Sequence, residues 1–311
     1  MAGPDPASGP ARGPATIRIA AAQYPIERLA NVADLKTKLT RWVEDAMAGG
    51  ADMIVFPEYG AMELAGMLDD AMAGDLKGSL AAVAERLPDI DEHLAMLARK
   101  HGAHILAPSG PSRRGDGTYV NAARLMAPSG AIGVQEKMMM TPFERDWGIS
   151  GGGPLRVFAT ALGRIGVLIC YDSEFPLLAR AQVEAGARLL LVPSCTERLS
   201  GFNRVRTAAL ARALEGSVAT ATSALVGAAP WSPAVDRNAG AAGVFVPAEV
   251  DVSETGILAE GMINEPGFVH AVIPFDRLEQ LRARGEMRNL ADWALQPGAR
   301  PLPAAEVTEL L

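Results

Sequence analysis

Short apolar runs that alternate with helically spaced apolar residues constrain the fold of this chain most strongly. Residues 17–24 (IRIAAAQY) have strong β character, and a second apolar run follows at 53–56. Between them, Asn31 is placed to cap a helix whose apolar residues recur at helical spacing and which ends at Gly49-Gly50. Strand, helix and strand in this order predict an α/β sheet that is buried on both faces.

The rest of the chain adds a hairpin and further alternation. Residues 119–126 and 131–137 have the pattern of strands, and Pro128-Ser129-Gly130 between them is a typical turn. A hairpin within the sheet predicts that the sheet is mixed rather than purely parallel. The other predicted elements are helical patterning over 61–100 with a break near Pro88, strands at 104–107, 164–170, 189–192 and 217–224, and helices at 175–185, 203–215 and 276–284.

The 311 residues show no internal repeat, no low-complexity linker and no change of composition after residue 16. We therefore expect one folded domain over 16–285, which is long enough to bury a sizeable core. Residues 1–15 are rich in Pro, Gly and Ala and lack an apolar segment, so we expect a disordered tail rather than a signal peptide. Residues 286–311 are expected to form a C-terminal extension that could pack on a partner subunit.

Composition and charge exclude several classes of protein. The chain has 29 Lys and Arg against 36 Asp and Glu, a formal net charge of −7, so neither nucleic acid nor a membrane is expected as a partner. Two cysteines are too few for a disulfide framework, and together with four histidines they leave little for a zinc cluster. No metal or other cofactor is therefore expected. No apolar run reaches the roughly 18 residues that span a bilayer, so the expected location is the cytoplasm.

Three chemically useful residues stand at the ends of predicted strands. Glu58 follows the run MIVFP, Lys137 ends AIGVQEK, and Cys170 ends RIGVLIC. Ligands of open α/β sheets bind beyond the carboxyl ends of the strands, where the loops vary while the sheet holds them in place. If these three strands are neighbours, a carboxylate, an ammonium and a thiol meet at one rim.

Such a set of residues can cleave a carbon–nitrogen bond. Glu58 can take the proton of the Cys170 thiol, and the sulfur can then attack a carbonyl carbon. Lys137 and the backbone N–H of Tyr171 can stabilise the negative charge that develops on the oxygen. Protonated Glu58 can return its proton to the leaving nitrogen, and a water activated by the same carboxylate then releases the acid from the thioester.

Taken singly, each of these residues also has a purely structural explanation. A cysteine at the end of an apolar strand is usually a small buried hydrophobic residue, and lone Glu and Lys residues at strand ends are mostly solvated. The same explanation applies to Cys195, and no flanking motif favours another role for it. The local motifs around the three residues must therefore decide.

Three motifs resemble those of the nitrilase (carbon–nitrogen hydrolase) superfamily. They are FPEY at 56–59, KMMMTPFER at 137–145 and GRIGVLICYDSEFP at 163–176, in the order and at the intervals of the family. The resemblance, which extends from about residue 17 to residue 275, implies that the catalytic Glu, Lys and Cys of the family are Glu58, Lys137 and Cys170. A second family glutamate matches Glu144, which by this resemblance orders the site and positions substrate or water.

The resemblance also implies a fold and an assembly. The fold would be of the α/β class, a four-layer α-β-β-α sandwich with mixed sheets. Subunits would pair across helices near the nucleophile into a homodimer or a higher homo-oligomer, and the candidate surfaces are the predicted helices at 175–185 and 203–215. A solvated helix face is the alternative explanation for Arg204, Arg206 and Arg212.

The residues after the nucleophile bear on the branch of the superfamily. Nitrilases usually have Trp-Glu there, whereas Tyr171-Asp172 is similar to the amidase-type, Nit-like members; Leu177 stands where many members have a glutamate. We therefore predict hydrolysis of a small-molecule carboxamide to an acid and ammonia. The alternatives are hydrolysis of an N-carbamoyl amine or of a nitrile, or a catalytically silent binding subunit.

Tyr171 and Thr196 are the predicted oxyanion and substrate-binding residues. The other residues expected at the rim are Tyr59, Phe143, Trp147, Glu174, Ser194 and Glu197.

Two further patterns are weaker. His101 and His104 have the spacing of two metal ligands, but Gly102 interrupts the helix and no other ligands accompany them, which favours a surface or capping role. The glycines at 151–153 match no phosphate-binding consensus and are interpreted as a tight loop near the site.

Overall fold

The computed structural model describes residues 13–285, 287–296 and 305–310. Most of the tail expected at 1–15 lies outside the described residues, as do parts of the expected C-terminal extension. At the end of the predicted tail, the Ala15 carbonyl accepts a hydrogen bond from the backbone N–H of Asp276 (3.0 Å), so the chain is attached to the domain from this point.

The described part of the chain alternates between strands and helices. The strands are β1 Thr16–Pro25, β2 Met53–Val55, β3 His104–Leu106, β4 Gly110–Arg113, β5 Tyr119–Met126, β6 Ile132–Glu136, β7 Arg156–Thr160, β8 Gly163–Val167, β9 Leu189–Ser194, β10 Ala219–Ala228, β11 Arg237–Asn238, β12 Gly243–Phe245, β13 Ile257–Glu260, β14 Gly267–Pro274 and β15 Glu306–Glu309. The α-helices are α1 Val32–Ala48, α2 Asp70–Gly74, α3 Leu76–His101, α4 Pro142–Trp147, α5 Pro176–Glu184, α6 Leu199–Gly216, α7 Phe275–Arg284 and α8 Asn289–Asp292. Short 3₁₀ helices cover Gly60–Met67, Cys170–Glu174 and Trp293–Leu295.

The strands form one curled mixed sheet with β1 at its centre. Along the sheet the order is β15-β7-β8-β9-β10-β1-β2-β3-β5-β4, with β6 beside β5 and β14 beside β1. β1 pairs in parallel with β2 on one side and, at its carboxyl end, with β10 on the other. The predicted hairpin is present as the antiparallel pair β5–β6, and β7–β8 is a second one, so the mixed sheet is confirmed.

Alternate residues of β1 face two different apolar cores, as the period of two in a strand requires. Ile17 and Ile19 belong to a cluster that joins the β1–β2–β3–β5 half of the sheet to the β7–β10 half. Ala22 and Tyr24 point the other way, into a cluster with α1 and α3. Since α5 and α6 pack on the β7–β10 half, the layers are helix, sheet, sheet and helix, which confirms the predicted four-layer sandwich.

Helix α3 differs from its prediction because it is not broken at Pro88. It runs without interruption for 26 residues, and Pro88 lies inside it. Proline removes one backbone hydrogen bond and costs about 3 kcal/mol in a helix interior. Leu87, Ile90 and Leu94 are each buried in the same face of the helix, and burying a side chain of this size contributes roughly 1.5–3 kcal/mol, which offsets the loss.

Strands β4 and β7 are among those that the prediction did not place. β4 is a four-residue strand of sequence GPSR, and β7 is a five-residue strand that follows the glycine-rich loop. Neither GPSR nor RVFAT is a continuous apolar run, so neither stands out as a buried strand in the sequence. Both segments become strands because neighbouring strands pair with them: β4 pairs with β5, and β7 lies between β8 and β15.

The surface role predicted for the His101/His104 pair is wrong for His104. This residue is the first of β3 and is only 3% exposed. Burial lowers the pKa of His104 to about 4, so the imidazole is neutral in the folded protein. His101 does end α3, where Gly102 adopts a left-handed conformation (φ 66°) that stops the helix.

The described part of the C-terminal extension packs on its own chain. β15 pairs in parallel with β7, and Leu310 beyond it is buried in the core between the sheet halves. The Trp293 ring lies 4.5 Å from the Arg180 guanidinium on α5. Over the described residues, no helix has both the length and the apolar character that a membrane span requires.

Candidate active site

Glu58, Lys137 and Glu144 meet at the rim formed by the ends of β2 and β6. The Lys137 ammonium lies 2.7 Å from Glu58 Oε1 and 2.7 Å from Glu144 Oε2. All three side chains are at most 2% exposed. A buried ammonium between two carboxylates is thereby paired on two sides, which a buried charge requires.

Cys170 stands beside this group, although not in the predicted position at the end of a strand. β8 ends at Val167, and Cys170 begins the following 3₁₀ helix with a φ of 48°, a left-handed conformation that is costly for a residue other than glycine. Its Sγ points toward the Cys195 carbonyl at 3.8 Å. The turn therefore lifts the thiol out of the sheet and toward the rim.

Asp172 holds this strained turn and the lysine loop together. Its carboxylate accepts hydrogen bonds from the backbone N–H of Ile169 (3.1 Å), Met138 (3.1 Å) and Met139 (2.7 Å). The first closes the turn that presents Cys170, and the other two belong to the residues that directly follow Lys137. Burial raises the pKa of Asp172 to about 7, while the charge of Lys137 and the three N–H groups act to lower it.

Glu144 is fixed by the start of α4. Thr141 and Glu144 form a capping box, in which the Thr141 backbone N–H and hydroxyl donate to Glu144 Oε2 at 3.0 and 2.9 Å and the Glu144 N–H donates to the hydroxyl. The Tyr59 hydroxyl donates to Glu144 Oε1 at 2.9 Å. Lys137 is a further donor to this carboxylate, through Oε2.

Glu58 has fewer donors than Glu144. Its Oε1 accepts hydrogen bonds from Lys137 and from Asn121 Nδ2 (2.9 Å), and its Oε2 accepts one from the Cys195 N–H (3.0 Å). Burial, the largest effect, raises the pKa of Glu58 above its usual value even though Lys137 lies beside it. For Glu144, burial would also raise the pKa, but the Lys137 charge and the donated hydrogen bonds together lower it. The two carboxyl groups therefore differ in their readiness to take a proton.

The pKa values of the Cys170 thiol and the Lys137 ammonium are both raised. Burial and the neighbouring charge of Glu58 raise the pKa of the Cys170 thiol well above its usual value, so the thiol is protonated at rest. Burial alone would lower the pKa of Lys137, but the charges of Glu58 and Glu144 raise it well above the usual value. The lysine therefore stays an ammonium, and the thiol needs a base.

These groups open into a cavity of about 540 Å³. All six predicted site residues line it, namely Glu58, Lys137, Glu144, Cys170, Tyr171 and Thr196. Of the other predicted rim residues, Tyr59, Phe143, Trp147, Glu174 and Glu197 also line it. Ser194 does not, because its buried hydroxyl donates to the Ser223 carbonyl (2.7 Å).

Charged side chains of both signs surround the mouth of this cavity. They are Glu174, Glu197, Arg198, Arg204, Asp236 and Arg237. Arg204 lies 3.3 Å from Glu174 across the mouth. Arg212, which the sequence left open as part of a solvated face, is instead buried on α6 and donates to the Ser173 carbonyl (3.0 Å), beneath the turn that presents Cys170.

Sequence reasoning missed three residues of this site, namely Cys195, Asn121 and Asp172. Cys195 could have been found, because it directly follows β9, the parallel neighbour of β8, and so stands at the same sheet edge as Cys170. It lines the cavity and its backbone contacts Glu58 and Cys170. Asn121 lies in the middle of β5, where no sequence signal distinguishes it from a structural residue.

Within the described residues, no group of three or more His, Cys, Asp or Glu side chains is arranged to hold a metal ion. The site is instead built around one ammonium, two carboxylates and one thiol, which together can activate a nucleophile, stabilise an oxyanion and transfer a proton.

Comparison with known proteins identifies the family. Residues 18–256 match the family model of carbon–nitrogen hydrolases, which covers most of the chain, and the chain belongs to that family. It is 32% identical over 279 residues to "Probable hydrolase YhcX" of Bacillus subtilis (strain 168), an alignment that covers 89% of this chain and 53% of that protein. The chain thus spans about half the length of the curated relatives that it matches.

Solved structures share the fold. A carbon–nitrogen hydrolase from Helicobacter pylori G27 superposes with a TM-score of 0.70 at 19% identity, covering 86% of this chain and 92% of that one. An amidase from Nesterenkonia sp. superposes with a TM-score of 0.62 at 24% identity, covering 86% and 94% of the two chains. The chain therefore has the fold of these proteins.

Proposed function

We propose that this chain is a cysteine-dependent amidase that converts a small-molecule carboxamide to a carboxylic acid and ammonia. One observation carries the proposal: two buried carboxyl groups share one ammonium beside a protonated thiol, and the pKa of Glu58 is raised while that of Glu144 is lowered. Pairs of titratable groups whose environments separate their pKa values identify the residue that exchanges protons and the residue that stays charged. Glu58 is then the acid and base, and Glu144 is the permanent anion.

In the acylation step, the Cys170 sulfur attacks the amide carbon while its proton passes to Glu58. A carbon–sulfur bond forms, and the carbonyl electrons move onto the oxygen. The Lys137 ammonium and the Tyr171 backbone N–H would stabilise that oxyanion. When the carbonyl re-forms, the carbon–nitrogen bond breaks, the nitrogen takes the proton from Glu58, and ammonia leaves a thioester on Cys170.

In the deacylation step, water takes the place of ammonia. Glu58, ionised again, accepts a proton as the water oxygen attacks the thioester carbon, and the same proton then returns to the departing sulfur. The products are the carboxylic acid and the free thiol, so the enzyme returns to its starting state. A water-poor site strengthens each of these electrostatic interactions, and the burial of Glu58, Lys137 and Cys170 supplies such a site.

A solved neighbour supports the nucleophile. In a mutant of the amidase from Nesterenkonia sp. AN1, acrylamide has undergone Michael addition at the active-site cysteine. In this chain, Cys170 is the thiol that stands next to the paired carboxylates, whereas the Cys195 thiol hydrogen-bonds to Asn238 Oδ1 (3.2 Å). We therefore assign the role of nucleophile to Cys170. We assign substrate contact to Thr196, which also lines the cavity.

The experiment that tests the proposal is a substrate panel read out as released ammonia. Primary carboxamides, N-carbamoyl amines and nitriles would be compared on the wild-type protein, with Cys170→Ala as the blank. Turnover that is fastest on carboxamides supports the proposal. A nitrile needs two additions of water at the same cysteine, so the catalytic residues alone do not separate it from an amide. Fastest turnover on nitriles or carbamoyl compounds would change the substrate class. No turnover in any class would favour a silent binding subunit.

For assembly and location we propose a homodimer in the cytoplasm. Leu177 on α5 and Leu214 on α6 are 55% and 43% exposed, and pairing across these two helices would bury them. A reducing compartment would keep the Cys170 thiol free to act. Light scattering on the purified protein tests the dimer, and Leu214→Arg should shift it toward monomer.

A further inference from the structure

The side chain of Asn121 lies between the two carboxylates of the site. Its Nδ2 is 2.9 Å from Glu58 Oε1 and 3.4 Å from Glu144 Oε1. An amide NH₂ group has two hydrogens, so it can donate one to each carboxylate. Asn121 therefore bridges the same pair of glutamates that the Lys137 ammonium bridges.

A chain of donors fixes the orientation of this amide. The Tyr59 backbone N–H can only donate, and it donates to Ser109 Oγ at 3.1 Å. The one hydroxyl hydrogen of Ser109 is then free for Asn121 Oδ1 at 2.8 Å. Because the amide oxygen is engaged by Ser109, the nitrogen must face Glu58 and Glu144.

The position of Asn121 matters because the site carries more negative than positive charge. Two carboxylates share one ammonium, and the charge of Glu144 acts to raise the pKa of Glu58. A hydrogen bond donated to an ionised carboxylate favours the ionised form. Asn121 and Ser109 are both 0% exposed, so water does not supply this donor in their place.

The backbone of Asn121 ties it to the lysine as well. The Lys137 N–H donates to the Asn121 carbonyl at 2.8 Å, which continues the β5–β6 pairing by one residue. Asn121 thus fixes the position of Lys137 along the β5–β6 hairpin through its backbone. Its side chain donates to both of the carboxylates that the Lys137 ammonium bridges.

We propose that Asn121, oriented by Ser109, is a positioning residue that keeps Glu58 ionised and directed toward Cys170. The inference rests on the proposed function, in which Glu58 is the base. Asn121 is not among the described residues that line the cavity, so it acts through Glu58 rather than on the substrate.

Replacing Asn121 tests this role through the pH profile. In Asn121→Leu, which keeps the branched shape but removes the donors, the acid limb of kcat/KM should move up by about one to two pH units, because a hydrogen bond to a charged group has about that effect on a pKa. kcat should fall at low pH and recover in part at high pH, with KM little changed. A uniform loss at every pH, with the limb unmoved, would overturn the inference.

A second variant guards against a folding defect. Ser109→Ala leaves Asn121 in place but frees its amide to rotate, so the limb should move in the same direction by a smaller amount. Ser79→Ala is the matched control, since Ser79 is also fully buried and donates one hydrogen bond, to the Leu76 carbonyl on α3. An unmoved limb in Ser109→Ala, with the same profile as Ser79→Ala, would contradict the inference.

Alkylation of Cys170 by iodoacetamide, located by peptide mapping, separates this inference from the proposed function. Its rate reports whether Glu58 can take the thiol proton and needs no substrate. An acid limb in the wild type that moves up in Asn121→Leu supports the positioning role even if no amide is turned over. If the alkylation rate of the wild type falls at low pH but the pH of this fall is the same in both variants, the positioning role of Asn121 is wrong and Glu58 remains the base. If the alkylation rate of the wild type shows no fall at low pH, Glu58 is not the base and the inference fails with it.

Discussion

Glu58 and Glu144 are identical side chains, and their surroundings separate their chemistry. Glu144 accepts hydrogen bonds from Thr141, Tyr59 and Lys137, which outweigh the effect of burial on its pKa. Glu58 has fewer donors, and burial raises its pKa. A carboxyl group with a raised pKa is a better proton acceptor near neutral pH than an ordinary one, because its pKa lies closer to the working pH.

The raised pKa of Glu58 predicts the pH dependence of the reaction. Since Glu58 must be ionised to accept the thiol proton, kcat/KM should be lost as pH falls through a pKa above the usual glutamate value of about 4.3. No alkaline loss is expected below about pH 9, because the pKa values of Lys137 and Cys170 are both raised. A pH–rate profile on any turned-over substrate measures both limbs.

Two outcomes would contradict this account of the pH dependence. A rate that stays flat down to about pH 4 would mean that no group with a raised pKa is needed. A rate that climbs with a pKa of about 8.5 would mean that an ordinary thiolate, formed without Glu58, is the reactive species.

The sequence located the side chains that we propose do the chemistry better than it located those that orient them. Glu58, Lys137, Glu144 and Cys170 stand in recognisable motifs, and the structure brings them together. Asn121 acts through an amide in the middle of a strand, and its position depends on which strands become neighbours. That information is absent from any local pattern.

Among the elements, the two loops that carry Lys137 and Cys170 are joined by Asp172. This carboxylate accepts N–H groups from both loops, so the ammonium and the thiol keep a fixed separation. Its place in the sequence, two residues after Cys170, gives no indication that it reaches Met138 and Met139, because that contact depends on how β6 and β8 are arranged.

Replacing Asp172 should therefore damage catalysis through geometry. Asp172→Asn keeps the shape, but its NH₂ group faces backbone N–H donors and loses at least one hydrogen bond. We expect kcat to fall by about 10- to 100-fold, since a displacement of about 1 Å at a reacting group can have an effect of this size. Steady-state kinetics measures the effect.

Asp52→Asn is the control for this variant. Asp52 also accepts a backbone N–H, that of Arg18 at 2.7 Å, but it is exposed and belongs to a different part of the sheet. Equal losses of kcat in Asp52→Asn and Asp172→Asn would show that the effect of Asp172 is not tied to the site.

The elements that the sequence missed or misjudged are those that depend on their partners. β4 and β7 are short and become strands because β5 and β8 pair with them. α3 continues through Pro88 because its apolar face is buried against α1 and against the strands β3, β4 and β5. The long amphipathic helix α1, by contrast, begins and ends where its Asn31 cap and its glycines predict.

For the whole molecule, the curled sheet brings distant parts of the sequence to one rim. Glu58, Lys137, Cys170 and Cys195 follow four different strands, and the sheet order places these strands in both halves of the sandwich. The alternation of strands and helices predicted the class of the fold. It could not show that β1 joins the two halves, because the pairing of β1 with β10 involves residues about 200 positions apart.

The buried His104 makes the stability of the whole fold sensitive to acid. Its pKa of about 4 lies below the usual value, so the unfolded chain binds a proton that the folded chain does not, and stability is lost as pH falls below about 6.5. This residue should lower the free energy of unfolding by about 2 kcal/mol between about pH 7 and pH 5. Urea denaturation of the wild type and of His104→Gln measures the difference, and an equal pH dependence in both proteins would refute it.

In the proposed reaction, Cys170 carries the acyl group. Intact-protein mass spectrometry during turnover of a slow amide tests it most directly. We predict that the wild type gains the mass of the acyl group, that hydroxylamine removes it, and that Cys170→Ala shows neither the adduct nor ammonia release while it unfolds in urea like the wild type. Wild-type rates of ammonia release in a folded Cys170→Ala would exclude Cys170 as the nucleophile.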